Sequence, residues 1–224
     1  MFFNGLLGYE ARRKRLLKKV PRGALYDFLS VPFPSTDTYL SELSILSVDF
    51  ETTGLNAMTD KLLSVGFVSI DKRHIKLGSC YHQIINTKHR LDANNVIIHH
   101  ITDQQKSQGK SLRVVVEALL KALAGKVMLV HFAQIEKQFL KQACLELYGV
   151  SPPLMILDTL AMAKRKLDRR DIAYDPQELR LSALRHKHGL PNHFAHNALN
   201  DAIATAELLL VQQKIAATRL KDLL

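Results

Sequence analysis

The chain is poor in cysteine: Cys80 and Cys144 stand 64 positions apart in 224 residues, and no Cys-x-x-Cys occurs. That argues against a disulfide scaffold and against a cysteine zinc site, and it fits a reducing, cytoplasmic setting. No apolar run approaches the ~20 residues of a membrane span, so stable membrane insertion is not expected. The apolar stretch Met1 to Leu7 precedes the first basic residues. A secretory signal has the reverse order, so none is expected. Internal repeats and low-complexity tracts are also lacking. Acids are scarce beside bases, 21 Asp plus Glu against 31 Lys plus Arg, which leaves a net charge of +10. A basic surface concentrates polyanions, so nucleic acid becomes a candidate partner.

What is present reads as a folded protein. Hydrophobic residues are 47% and charged residues 23%, the balance of a globular chain. The length suits one domain with an appendage, large enough to bury a core without metal or disulfide staples. Residues 1–23 hold seven bases (Arg12, Arg13, Lys14, Arg15, Lys18, Lys19, Arg22) against Glu10. Tyr9 to Val20 is expected to form a short basic helix with Leu16, Leu17 and Val20 as its apolar stripe. It could pack on the main domain, lie along phosphates or touch anionic lipid. A linker rich in Pro, Ser and Thr follows, Val31 to Tyr39. The expected organisation is a basic appendage and linker over 1–40, a main domain over 41–218 and a C-terminal tail over 219–224.

The main domain opens with three strands, Ile45–Glu51, Leu62–Ile70 and Ile75–Ile85, whose short connections predict an antiparallel meander. A helix is expected over Ser111–Ala124, with Leu112, Val115, Val116, Leu119 and Leu123 along one side. Next come a strand at Val127–Phe132, a helix at Gln134–Tyr148 and a strand at Leu154–Leu157. Asp158 is placed to cap the helix after it. Helices over Leu179–Lys187 and Asn197 to about Ile215 complete an α/β pattern, a mixed sheet with helices on its faces.

Three segments carry chemistry. In the first, Asp49-Phe50-Glu51-Thr52-Thr53-Gly54, residues two apart on a strand share a face. Asp49 and Glu51 therefore project together, a costly arrangement unless a cation lies between them. Hard oxygen ligands suit Mg²⁺ or Mn²⁺. The plainer alternative is two solvated charges before a turn at Gly54. In the second, His196-Asn197-Ala198-Leu199-Asn200-Asp201-Ala202, a cap at Asn197 would leave His196 in the preceding loop. The positive helix end would help keep its ring neutral. Asp201 borders the packed face, where an acid needs a partner. The third, His131 to Leu140, puts Glu136 in the first turn of a helix, a place the helix dipole alone would favour.

Together these segments resemble the three motifs of the DEDDh (DnaQ-like) 3′–5′ exonucleases. Asp49 to Gly54 matches the first, and His196 to Ala202 matches every fixed position of the third. The second commonly reads His-Asn-x-x-Phe-Asp-x-x-Phe-Leu. Here His131, Phe139 and Leu140 match, while Phe132 replaces Asn, Ile135 replaces Phe and Glu136 replaces Asp. Ile98 to Asp103 resembles the segment near the family's 3′-terminal base pocket, with His100 where Gly is common. The resemblance implies an RNase H-like fold, a five-stranded mixed sheet flanked by helices. It implies two-metal hydrolysis releasing nucleoside 5′-monophosphates, with two ions, Mg²⁺ or Mn²⁺. Asp49 would bridge the ions, Glu51 and Asp201 would complete the first site, Glu136 would support the second, and His196 would be the general base. Thr52, Thr53, Gly54, Leu55, His100 and Ile101 would hold the terminal nucleotide, with plain core as the alternative for Leu55 and Ile101.

The expected substrate is a nucleic acid with a 3′ end, single-stranded or frayed DNA in preference. A polymerase or another replication or repair protein is a candidate partner. An exoribonuclease of the same fold and a non-catalytic binding module are the alternatives. His186, His188, His193 and His196 cluster, but their spacing fits no compact zinc pattern. Lys164, Arg165, Lys166, Arg169 and Arg170 could track phosphates. Asp168 and Asp171 inside that run weigh against a pure polyanion groove.

Overall fold

The computed structural model describes residues 6–87, 101–169, 171, 173–212 and 218–224. Its centre is a five-stranded sheet in the order β3-β2-β1-β4-β5. The strands are β1 (Ser44–Thr52), β2 (Leu62–Asp71), β3 (His74–Ile84), β4 (Val127–Val130) and β5 (Ile156–Asp158). The first three form the expected antiparallel meander, and β4 and β5 add in parallel, giving the expected mixed sheet. The β2–β3 turn has two residues, Lys72 and Arg73, both at positive φ. That conformation matches the right-handed twist of the flanking strands.

The alternation along β1 divides the core in two. Leu46, Val48 and Phe50 join one cluster, whereas Ile45 joins the other. The first cluster is filled by α4 (Leu112–Leu123) and α5 (Gln134–Tyr148). Val115, Val116, Leu119, Leu120 and Leu123 are buried along α4, worth about 1.5–3 kcal/mol per large side chain. The second cluster is covered by α6 (Thr159–Asp168) and α8 (Ala198–Gln212), through Met162, Ala206 and Leu209. A short α7 (Leu181–Lys187) follows a 3-10 turn at Pro176–Leu179. The helix expected from Leu179 starts later because Arg180 is extended, with ψ of 148°. β5 starts later than expected too. Leu154 and Met155 are buried, but the parallel register with β4 begins at Ile156.

Two helices lack a clear periodic signal. α2 (Ala24–Ser30) is seven residues long, and α3 (Asp103–Ser107) is five. Thr102 caps α3 by accepting the Gln105 amide at 3.2 Å. The basic helix is α1 (Leu6–Leu17), begun earlier than expected. Leu16, Leu17 and Val20 pack on the first core cluster, and Leu25, Phe28 and Leu29 of α2 lie inside it. Arg13 is buried: its guanidinium pairs with Glu10 and donates to the Leu29 carbonyl, tying α1 to α2. The other six bases of the segment are exposed.

The C-terminal residues also pack on the domain. Tyr39 bridges Arg219, the Leu220 amide donates to the Thr38 carbonyl at 3.0 Å, and Leu220 enters the second cluster. Among the described residues, no helix is long and apolar enough to cross a membrane.

Candidate active site

β1 delivers Asp49 and Glu51 to one end of the sheet, and the first turn of α8 brings Asp201 to meet them. One carboxylate oxygen from each lies within 4.8 Å of the others. The approach of α8 depends on Gly66, which pairs with Asp49 across the β1–β2 ladder. A Cβ at Gly66 would sit 2.2 Å from the Ala198 carbonyl carbon and from the Leu199 nitrogen. Ser47, on the same face of β1, donates to the Ala202 carbonyl at 2.7 Å and fixes the helix from below. Sequence reasoning passed over Gly66, although a glycine inside a strand pattern is itself a sign of close backbone approach.

The acids are crowded. Burial, and then the charges of Glu136, Asp201 and Glu51, lift the Asp49 carboxyl well above the usual carboxylate range. Burial also raises Asp201, against the pull of His193. A divalent cation would relieve both costs, and the oxygen donors suit a hard ion. Glu136 stands apart from this trio, since no group of ligand atoms including it meets the same spacing among the described residues. It is buried at the start of α5, where burial pushes its carboxyl up to about 8, with repulsion from Asp158 and Glu51 added. Its Oε2 atom is buried with no hydrogen-bond partner, so the longer side chain has one oxygen still to satisfy.

Three histidines line the cleft that holds the acids: His131, His193 and His196. Asn197 Oδ1 accepts the Asn200 amide at 3.2 Å, so the cap forms as expected and His196 lies in the preceding loop. His196 has φ of 63°, a left-handed conformation. His193 does what the sequence did not suggest: its Nε2 lies 2.8 Å from Asp201 Oδ1. Arg185, buried on α7, steadies that loop by donating to the carbonyls of Ala204 and Pro191 and to Glu207. His186 and His188 are exposed, and the carboxylate trio is the metal-type cluster found among the described residues.

The second motif forms another wall. His131 Nε2 lies 3.0 Å from the Leu179 carbonyl and Nδ1 lies 2.8 Å from Thr159 Oγ1. A carbonyl only accepts, so Nε2 carries the proton. Burial lowers the His131 pKa to about 4. Asp158 caps α6 through the amides of Leu160 and Ala161, as expected. It also accepts the amides of Phe132 at 3.0 Å and Ala133 at 2.9 Å, ahead of α5. Phe132 is held at φ of 76°, a conformation that costs a bulky residue about 1–3 kcal/mol.

The residues expected to hold the terminal nucleotide separate. Thr52 and Leu55 line the cleft, whose volume is about 670 Å³. Thr53 closes the turn, donating its amide to the Lys61 carbonyl and accepting the Lys61 amide, each at 2.9 Å. Gly54 passes close to Asp60, whose Oδ2 would lie 2.5 Å from an added Cβ. Ile101 is 5% exposed and packs with Leu63 and Ile84. His100 lies outside the described residues. In the second basic run, Lys164 pairs with Asp168 at 2.9 Å and Arg165 donates to the Leu223 carbonyl.

A family model described as Exonuclease (RNase_T) matches residues 46–209. The DNA polymerase III PolC-type of Thermotoga petrophila is 28% identical over 195 residues, which are 84% of this chain and 14% of that protein. The chain thus spans a small part of such a relative. E. coli Exonuclease I in complex with a dA16 oligonucleotide superposes with a TM-score of 0.66 at 14% identity, covering 78% of this chain and 41% of that one. The nuclease domain of 3′hExo, a DEDDh family member bound to rAMP, gives 0.63 at 16% identity, covering 80% and 96%. These structures share the fold, and the family match over residues 46–209 carries all three acidic segments. The chain therefore belongs to the RNase_T exonuclease family, as a DnaQ-like 3′–5′ exonuclease domain with an RNase H-like fold.

Proposed function

We propose that the protein hydrolyses the terminal phosphodiester of single-stranded or frayed 3′ ends, DNA in preference, and releases nucleoside 5′-monophosphates. The observation that carries this reading is the Asp49–Glu51–Asp201 oxygen cluster at the floor of an open cleft. Asp49, Glu51 and Asp201 would hold a divalent cation, and Glu136 would offer its unpartnered Oε2 toward a second. Bound Mg²⁺ or Mn²⁺ supplies charge neutralisation at the phosphate and makes water a better nucleophile. The chain does the rest. His196 takes the proton from the attacking water. His193 orients Asp201 through its 2.8 Å hydrogen bond. Leu55, 76% exposed, offers apolar contact to the terminal base. The polymerase III relative supports DNA, and a replication or repair protein is the partner class it suggests.

The test is a time course on matched 5′-labelled single-stranded DNA and RNA, with Mg²⁺, Mn²⁺ or EDTA. A metal-dependent ladder shortening from the 3′ end is expected. Asp49→Asn and His196→Ala should each lower the rate at least ~100-fold, a typical size for a lost ligand or base. Faster loss of RNA would move the assignment to an exoribonuclease, a reading favoured by the rAMP-bound neighbour. Unchanged activity in either variant would overturn the mechanism.

A further inference from the structure

We infer that Phe132 is a base-stacking platform at the cleft wall, which takes a nucleobase of the bound strand against its ring. This rests on the nucleic-acid reading of the same cleft. Among the described residues, five non-glycines have positive φ: Lys72, Arg73, Phe132, Asp171 and His196. Lys72 and Arg73 belong to a hairpin turn. Phe132 is the one with a large apolar ring, and the left-handed region suits a bulky side chain poorly.

The strain is imposed from both sides. His131 is pinned by Thr159 and Leu179, while the amides of Phe132 and Ala133 are held by Asp158. The product of that bracing is an aromatic ring that is not buried. Phe132 remains 43% exposed and lines the cleft that contains Asp49, Glu51 and Asp201. A fold that only needed a turn here could use a small or polar residue at lower strain. A rigid, half-exposed ring beside phosphate chemistry fits a nucleobase, because every base offers a π-face and stacking tolerates any sequence. Asn commonly stands at this place in the resembling motif, so the ring is a property of this chain.

The experiment measures binding of fluorescent single-stranded DNA by anisotropy, with EDTA present to prevent hydrolysis. One set of oligonucleotides carries all its bases. A second set has one abasic site, moved through the first five positions from the 3′ end. Phe132→Gly and Phe132→Asn relieve the φ and remove the ring, whereas Phe132→Trp keeps a ring. The expected result is ~5- to 100-fold weaker binding of the full strand by the Gly and Asn variants, the range of one lost stack. Phe132→Trp should bind within about threefold of the parent. The loss should vanish when the abasic site occupies the stacked position, which a merely structural role would not produce. The thermal midpoints of the Gly and Asn variants should hold or rise.

A loss that is equal at every abasic position, or no loss at all, would overturn the platform. So would a fall in midpoint matching the loss of binding. If the parent protein itself binds neither DNA nor RNA, the nucleic-acid reading fails with it. Binding and hydrolysis by the parent, with a Phe132→Gly variant that binds equally well, would remove the platform alone.

Discussion

His131 shows how one ring can set a pH limit on the domain. It is neutral because burial opposes its charge, outweighing the pull of Asp158, and its folded pKa is about 4 against 6.5 for the free side chain. The unfolded chain therefore takes up a proton first as pH falls. The neutral ring's contribution is complete above pH ~6.5 and is lost as pH falls toward ~4, where the folded ring also protonates. The full difference is on the order of 3 kcal/mol. Denaturant unfolding at pH 7 and pH 4.5 should therefore show a steeper loss for the parent than for His131→Gln. Parallel losses would refute this assignment. At this scale, the acids were the legible part of the site. Asp49 and Glu51 share a strand face by periodicity alone, and Asp201 follows a capping asparagine. His193 was not legible, because its contact with Asp201 depends on the path of a loop that no periodicity describes. Phe132 was visible as a departure from a motif, but its left-handed backbone was not.

At the scale of elements, the site depends on how closely a helix can lie on a strand. Gly66 decides this for α8 and β2. Gly66→Ala should lift the α8 N-terminus away from the sheet and cost more than about 2 kcal/mol in unfolding free energy, as overpacking does. Isothermal titration with Mn²⁺ should show weaker binding, since Asp201 travels with the helix. Normal stability together with normal Mn²⁺ affinity would show that α8 is held by other contacts. The two long helices α4 and α5 were readable because their buried faces repeat over several turns, and the meander because its strands follow one another over short connections. α2 was not, because seven residues are too few to display a period, and the three-residue β5 was legible as a strand but expected two residues early, at Leu154.

Across the whole molecule, the charge-rich start of the chain is joined to the core. α2 inserts Phe28, 2% exposed, into the first core cluster beside the sheet and α4. Phe28→Ala should cost about 3–5 kcal/mol, the range for emptying a buried aromatic site. The measurement is the denaturation midpoint of the full chain. A change below 1 kcal/mol would mean that the segment only rests on the domain. Composition alone emphasised the bases of residues 1–23, and it hid the apolar anchor immediately after them. Even Arg13 belongs to the anchor, whereas the exposed bases remain available to polyanions.

The carboxylate cluster also has a birth order. Asp49 and Glu51 lie on the first strand and Asp201 on the last long helix, about 150 residues later in the sequence. At the usual ~5–20 residues per second of synthesis, roughly 8–30 s separate their appearance. Throughout that interval the nascent chain holds two of the three acids, with no α8 to bring in the third. The carboxylate trio is completed only when nearly all of the described domain has left the ribosome, so a chain stopped short of α8 cannot assemble it.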